Sequence, residues 1–108
     1  MKVGFIGLGN VGGKLSGSLL RNEIDLTVHD LNQDLVNDFV SRGAEGTDRP
    51  ASMMRDCDVV ITCLPSPAAS AAVMDEMLPE VKAGKIWMEM STTDEAEVKR
   101  LGAMVMER

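Results

Sequence analysis

A glycine-rich turn near the amino terminus constrains the fold more than any other feature of this sequence. The short apolar run Lys2 to Ile6 is followed by three glycines at fixed spacing, Gly7-Leu8-Gly9-Asn10-Val11-Gly12. Apolar side chains then recur at helical spacing as far as Arg21. Three glycines in this spacing are typical of the tight turn between a strand and a helix, because they let backbone segments approach closely. The chain is therefore predicted to begin with a strand, a tight turn and a helix.

Short apolar runs alternate with helical segments along the rest of the chain. The apolar runs predict strands at residues 2–6, 25–29, 44–46, 58–63 and 86–90. Helical spacing predicts helices at residues 11–21, 32–41, from Pro50, from Ser66 to about Leu78, and from about Asp94 onwards. Strand-helix alternation repeated five times predicts a parallel sheet with helices on both faces. We therefore expect an α/β fold, a Rossmann-type doubly wound parallel sheet with strand order 3-2-1-4-5.

The end of the sequence carries a further expectation about domain organisation. The last predicted helix ends at Arg108, whereas a six-stranded fold of this type continues with another strand. We expect residues 1–108 to be one dinucleotide-binding domain that is truncated before its sixth strand.

Composition and charge exclude several classes of function. Eleven basic and seventeen acidic residues give a net charge of -6. The chain therefore has no excess positive charge with which to bind nucleic acid or an anionic membrane surface. No apolar run approaches the eighteen residues of a membrane span. The only histidine, His29, has no second ligand at a spacing that suits a metal. We therefore expect no nucleic acid, no membrane and no metal among the partners.

The two cysteines favour a reducing compartment. Cys57 and Cys63 lie at the two ends of the fourth predicted strand, and six extended steps span roughly 20 Å, which is too far for a disulfide. We therefore expect a cytoplasmic protein.

The glycine turn also predicts how an acidic domain can hold an anion. Gly7 permits the tight turn, Gly9 lets the backbone approach a pyrophosphate, and Gly12 lets the helix pack closely on the sheet. The N–H groups and the dipole at the start of the helix favour negative charge there. The turn therefore predicts a phosphate-binding site.

A carboxylate at the end of the second strand points to the kind of nucleotide. Asp30 lies eighteen residues after Gly12, where a carboxylate can accept hydrogen bonds from the adenosine ribose. No arginine follows it in Leu31-Asn32-Gln33 to receive a 2′-phosphate, so we expect NAD, with NADP disfavoured. Two alternatives stay open: a purely structural turn in which Asp30 caps the next helix, and the nucleotide site of a methyltransferase.

Two further segments are expected at the same edge of the sheet, because ligands of such sheets lie beyond the carboxyl ends of the strands. Leu64-Pro65-Ser66 leaves the fourth strand and Ser91-Thr92-Thr93 leaves the fifth. The nicotinamide is therefore expected towards Pro65 and Thr92. Leu64-Pro65 serves equally well as a strand terminator, and Thr92 with Glu95 fits a helix capping box.

Three segments at consistent spacing resemble one family over the whole chain. They are Gly4-Phe5-Ile6 with the glycine turn, Asp58-Val59-Val60-Ile61-Thr62-Cys63-Leu64-Pro65, and Met90-Ser91-Thr92-Thr93. They resemble the β-hydroxyacid dehydrogenases, among them the 3-hydroxyisobutyrate dehydrogenases and tartronate semialdehyde reductases, with 6-phosphogluconate dehydrogenases more distant. Val11 replaces the methionine that is usual in this family, and Arg49 replaces a small helix-capping residue.

The resemblance implies a set of contacts and a reaction. Cofactor contacts would be made by the whole turn from Gly7 through Leu8, Gly9, Asn10 and Val11 to Gly12, and by Asp30, Leu31, Leu64, Pro65, Ala69 and Thr92. Ser91 would contact the substrate, a small hydroxy acid that is oxidised reversibly to its semialdehyde, in an enzyme that forms a homo-oligomer when full length. The family's catalytic lysine and Ser-Gly-Gly loop belong to a second, helical domain, so we assign no catalytic residue here. The chain alone is expected to bind cofactor weakly and to be inactive.

Two alternative functions stay open beside this one. An NADPH-dependent imine or semialdehyde reductase shares the same nucleotide-binding half. A non-catalytic Rossmann module that senses nucleotides would also carry it, without a lysine-bearing second domain.

Overall fold

The computed structural model describes residues 1–64, 66–81 and 84–89. Helices and strands alternate along this part of the chain in the following order: β1 (Lys2–Ile6), α1 (Asn10–Arg21), β2 (Asp25–His29), α2 (Gln33–Ser41), β3 (Glu45–Gly46), α3 (Pro50–Asp56), β4 (Val59–Thr62), α4 (Pro67–Met77), a single 3-10 turn (Leu78–Glu80) and β5 (Ile86–Glu89). The predictions for Pro65, Ser91 and Thr92, and for the helix from about Asp94, lie outside the described residues.

The five strands form one parallel sheet in the order β3-β2-β1-β4-β5, which confirms the predicted fold class and strand order. In the central register Ile6 lies opposite His29 on one side and Thr62 on the other. Strands β1, β2 and β4 therefore end at the same level. The segments that follow these three strands meet along one edge of the sheet.

Apolar side chains cover both faces of the sheet, as expected for a parallel sheet buried between helices. On one face α1 and α2 pack over a cluster that includes Phe5, Val28 and Phe39. On the other face α3 and α4 pack over a cluster that includes Ile6 and Val60. Full burial of each such side chain is worth about 1.5–3 kcal/mol relative to exposure. Among the described helices, none is both long enough and apolar enough to cross a bilayer.

Two local features depart from the sequence patterns. Helical spacing places Val40 on the apolar face of α2 with Val36 and Phe39, but Val40 is 46% exposed. Val40 lies over Gly46 of the two-residue edge strand β3. Because Gly46 has no side chain, it leaves Val40 partly uncovered. Arg49 precedes α3 without capping it, and Thr47 Oγ1 instead accepts the Arg49 N–H at 3.3 Å.

Two buried serines offer a matched test of the helix packing. Ser16 Oγ donates to the Gly12 carbonyl oxygen at 2.6 Å, whereas Ser70 Oγ has no hydrogen-bond partner within the described part of the chain. Both residues are at least 97% buried, being 0% and 3% exposed. We expect Ser16→Ala to lower the free energy of unfolding by about 1 kcal/mol and Ser70→Ala to raise it by a similar amount.

Urea and thermal denaturation of the two variants measure these changes, and about 1 kcal/mol corresponds to a Tm shift of roughly 4–8 °C. Both substitutions gain the same small helix propensity, so the comparison isolates the hydrogen bond. Equal shifts in the same direction would contradict the assignment.

Candidate functional site

A groove of about 740 Å³ runs along the carboxyl edge of the sheet. Its floor and walls come from the segments after β1, β2 and β4 and from the first turns of α1 and the side of α4. This volume falls within the range of small-molecule and cofactor sites. The position between β1 and β4, where the strand order reverses, is where open α/β sheets bind their ligands.

Two glycines of the turn are required by the fold itself. Gly7 has a φ of 101°, and a Cβ there would lie 2.1 Å from the Cys63 carbonyl oxygen. A Cβ on Gly12 would lie 1.9 Å from the Gly7 carbonyl oxygen. Both distances are far below van der Waals contact, so any side chain would force the backbone apart. These two glycines hold α1 against the end of β1.

Gly9 differs, because nothing in the described structure requires a glycine there. Its φ of -69° suits any L-residue, and a Cβ would meet no atom within 4 Å. Gly9 is the N-cap of α1 and lines the groove. The first N–H groups of a helix have no carbonyl partner within the helix and favour an anion. A bare backbone at this point therefore fits a pyrophosphate that approaches the start of α1.

Asp30 joins the glycine turn to the end of β2. Its Oδ2 accepts the Leu8 N–H at 2.7 Å and its Oδ1 accepts the Asn32 N–H at 2.8 Å. A carboxylate offers about four lone pairs, so each oxygen keeps an acceptor site for a ligand hydroxyl. The capping of α2 is done by Asn32, whose Oδ1 accepts the Asp34 N–H at 3.0 Å. The alternative in which Asp30 caps the next helix is therefore wrong, because Asn32 caps it.

His29 and Lys85 are both engaged with backbone carbonyls. His29 is 8% exposed at the end of β2, and its Nδ1 donates to the Thr47 carbonyl oxygen at 2.9 Å, since a carbonyl can only accept. Lys85 Nζ donates to the carbonyl oxygens of Arg55 and Cys57 at 2.9 and 2.7 Å, at the opposite edge of the sheet. His29 lies beside Asp30 at the end of β2 and Lys85 lies at the opposite edge, so neither lies at the end of β4, where the nicotinamide is expected.

One side of α4 forms a wall of the groove. Ser66 Oγ caps this helix by accepting the Ala69 N–H at 3.1 Å. The residues that face the groove follow helical spacing, namely Ala69, Ala72, Val73 and Glu76. The sequence reasoning assigned only Ala69. The other three were recoverable from the spacing i, i+3, i+4 and i+7, once Ala69 was placed in the site.

The structure brings most of the assigned cofactor residues into the groove, and these are Gly7, Gly9, Val11, Gly12, Asp30, Leu31, Leu64 and Ala69. Leu8 does not line it: its side chain is 3% exposed in the core and its N–H is donated to Asp30. Asn10 is the first residue of α1. Pro65, Ser91 and Thr92 lie outside the described residues.

The charges of the groove are few and mainly acidic. Among the described residues that line it, the ionisable side chains are His29, Asp30, Cys63 and Glu76, with no lysine or arginine. Within residues 1–64, 66–81 and 84–89, no group of three His, Cys, Asp or Glu side chains is placed to hold a metal ion. The described part of the groove therefore offers an anion backbone N–H groups rather than lysine or arginine side chains.

Comparison with solved structures shows the same fold in known enzymes. The 3-hydroxyisobutyrate dehydrogenase of Mycobacterium tuberculosis superposes with a TM-score of 0.91 at 20% identity, over 98% of this chain and 36% of that chain. An imine reductase of Streptomyces aurantiacus superposes with a TM-score of 0.89 at 22% identity, over 99% and 38%. At these identities the likeness concerns the fold.

Sequence comparison identifies the family. The probable 3-hydroxyisobutyrate dehydrogenase, mitochondrial, of Arabidopsis thaliana is 44% identical over 73 residues, which are 68% of this chain and 20% of the relative. The mitochondrial 3-hydroxyisobutyrate dehydrogenase of Rattus norvegicus is 32% identical over 115 residues, which cover 97% and 34%. The chain thus spans a fifth to a third of the length of these relatives. The family model described as the NAD binding domain of 6-phosphogluconate dehydrogenase matches residues 2–108, and the chain belongs to this family.

Proposed function

We propose that this chain is the NAD-binding part of an oxidoreductase that interconverts a 3-hydroxy acid and its semialdehyde by hydride transfer. The observation that carries the proposal is the contrast within the glycine turn. Gly7 and Gly12 are held by the fold, whereas Gly9 presents bare backbone to the groove. A glycine that the protein does not need for its own packing is explained by a ligand that must approach the backbone closely.

The surroundings of Asp30 support NAD over NADP. The Asp30 carboxylate keeps acceptor capacity for ribose hydroxyls, and a 2′-phosphate placed there would be repelled. Leu31 follows it, is 98% exposed and lines the groove, so the position where an arginine could receive that phosphate holds an uncharged side chain. The described lining of the groove contains no lysine or arginine that could bind this phosphate.

The chemistry of the reaction is divided between the cofactor and the rest of the enzyme. A bound nicotinamide cofactor would supply reversible hydride transfer between the hydroxy acid and its semialdehyde. The described residues of this chain would bind and orient it: the turn would hold the pyrophosphate, Asp30 would hold the ribose, and the segment after β4 would lie beside the reactive end. His29 lies at the end of β2 beside Asp30, away from the segment after β4, and Lys85 lies at the far edge of the sheet. We therefore propose that the 108-residue chain binds cofactor but does not turn over substrate alone.

We further propose that the full-length enzyme acts on a small hydroxy acid, forms a homo-oligomer and contacts its substrate through Ser91. A cytoplasmic location, expected from the spacing of the cysteines, stays a prediction.

Calorimetric titration of the chain with NADH and NADPH tests the proposed function. We expect NADH to bind with a Kd below about 1 mM and at least about tenfold more tightly than NADPH, since one charge-assisted contact is worth about 1.5–3 kcal/mol. Tighter binding of NADPH would favour the imine reductase alternative and refute the role of Asp30. Tighter binding of S-adenosylmethionine than of either dinucleotide would favour a methyltransferase.

A further inference from the structure

The side of α4 that faces the groove changes from small apolar residues to a charged residue along the helix. It begins with the small side chains of Ala69 and Ala72, continues with Val73 and ends with Glu76. From Ala69 to Glu76 the helix rises by about 10 Å. Ala69 lies one turn from the capped start of the helix, next to the segment after β4, so Glu76 lies at the end of the wall that is farther from that segment.

The apolar part of this wall suits a flat ring. Alanine and valine side chains leave a shallow surface, and Leu31 at the rim beside Asp30 is 98% exposed. In a dinucleotide whose ribose is held at Asp30, the base lies next to that ribose. The base therefore has Leu31 and the α4 wall as its apolar neighbours.

Glu76 is the charged group at the end of this wall. It is exposed, lines the groove, and forms no ion pair with a described residue. A carboxylate accepts hydrogen bonds and donates none. It therefore favours a base edge that carries an amino group over one that carries only a C–H group at that position.

We propose that Glu76 selects the purine of the cofactor by accepting a hydrogen bond from the exocyclic 6-amino group of adenine. This inference rests on the proposed function and deepens it, because it assigns base recognition to a residue outside the glycine turn and Asp30. Glu76 then discriminates against dinucleotides whose purine carries hydrogen in place of the 6-amino group, because the carboxylate loses this hydrogen-bond donor.

The test compares NADH with reduced nicotinamide purine dinucleotide, which carries hydrogen in place of the 6-amino group. Both are titrated calorimetrically into the 108-residue chain and into Glu76→Ala. The matched control is Asp75→Ala, since Asp75 is exposed on the same helix but does not line the groove. We expect the wild-type chain and the control to bind NADH about tenfold more tightly than the purine analogue.

In Glu76→Ala the ratio of the two Kd values is expected to fall to about two or less, because the acceptor for the 6-amino group is removed. Weaker binding of NADH with unchanged binding of the purine analogue is a result that a merely structural role would not produce. Equal binding of both dinucleotides to the wild-type chain, or an unchanged ratio in Glu76→Ala, would overturn the inference while leaving the proposed function intact. Failure of the wild-type chain to bind either dinucleotide would refute the proposed function itself.

Discussion

A Gly9→Ser chain is expected to fold as stably as the wild-type chain and to bind NADH about ten- to hundredfold more weakly. A Cβ at this position meets no protein atom within 4 Å, and serine is a favourable N-cap for α1. The new side chain instead occupies the groove at the point where the pyrophosphate approaches the backbone. Loss of hydrogen bonds to a charged group costs about 1.5–3 kcal/mol, which gives this range.

Gly12→Ala provides the opposite case and serves as the control. Its Cβ would lie 1.9 Å from the Gly7 carbonyl oxygen, so α1 must move away from β1. We expect a loss of about 3 kcal/mol or more in the free energy of unfolding, measured by urea denaturation. If Gly9→Ser lost as much stability as Gly12→Ala, or bound NADH normally, the distinction between the fold-holding and ligand-facing glycines would be wrong.

An Asp30→Asn/Leu31→Arg double variant is expected to reverse the cofactor preference by about a hundredfold or more in the ratio of the Kd values for NADPH and NADH. The first change removes the charge that repels a 2′-phosphate, and the second supplies a cation at a groove position that is 98% exposed. Each change is worth about 1.5–3 kcal/mol towards a phosphate. Calorimetric titration with both cofactors measures the ratio.

The two single variants separate stability from specificity. Asp30→Asn loses one of the acceptors for the Leu8 and Asn32 N–H groups, so we expect a loss of about 1 kcal/mol in unfolding free energy. Leu31→Arg is expected to change stability by less than about 0.5 kcal/mol because the side chain is exposed. Asp34→Asn removes a carboxylate outside the groove and should leave the cofactor ratio unchanged. A double variant that still prefers NADH would place the ribose elsewhere.

The fold was predictable from local patterns because the strands are short, apolar and separated by helical spacing. The bounds of β1 and β2 agree with the predicted ranges, and the strand order follows from the right-handed connections of such sheets. Val40 shares a face of α2 with Val36, as helical spacing predicts, but it is 46% exposed, because periodicity identifies a helix face and not what covers it. Here the neighbour is Gly46 on a two-residue edge strand.

The site was predictable only in part, since motif spacing locates backbone features better than side-chain neighbours. Gly7, Gly9 and Gly12 look alike in the sequence, and only the geometry shows that two of them serve packing and one faces the groove. Leu8 belongs to the motif, yet its side chain points into the core. Glu76 belongs to no motif, and its place in the groove follows from the position of α4 as one wall of the groove.

The central claim is that this chain holds a dinucleotide across the groove between the glycine turn and α4. Titration of isotopically labelled chain with NADH, followed by the backbone amide shifts in NMR, tests it most directly. We predict saturable shifts at submillimolar cofactor that are concentrated at Gly9, Val11, Leu31 and Ala69, with the amide of Lys85 at the opposite edge unchanged. Shifts that fail to appear at millimolar NADH, or that cluster away from the groove, would contradict the account.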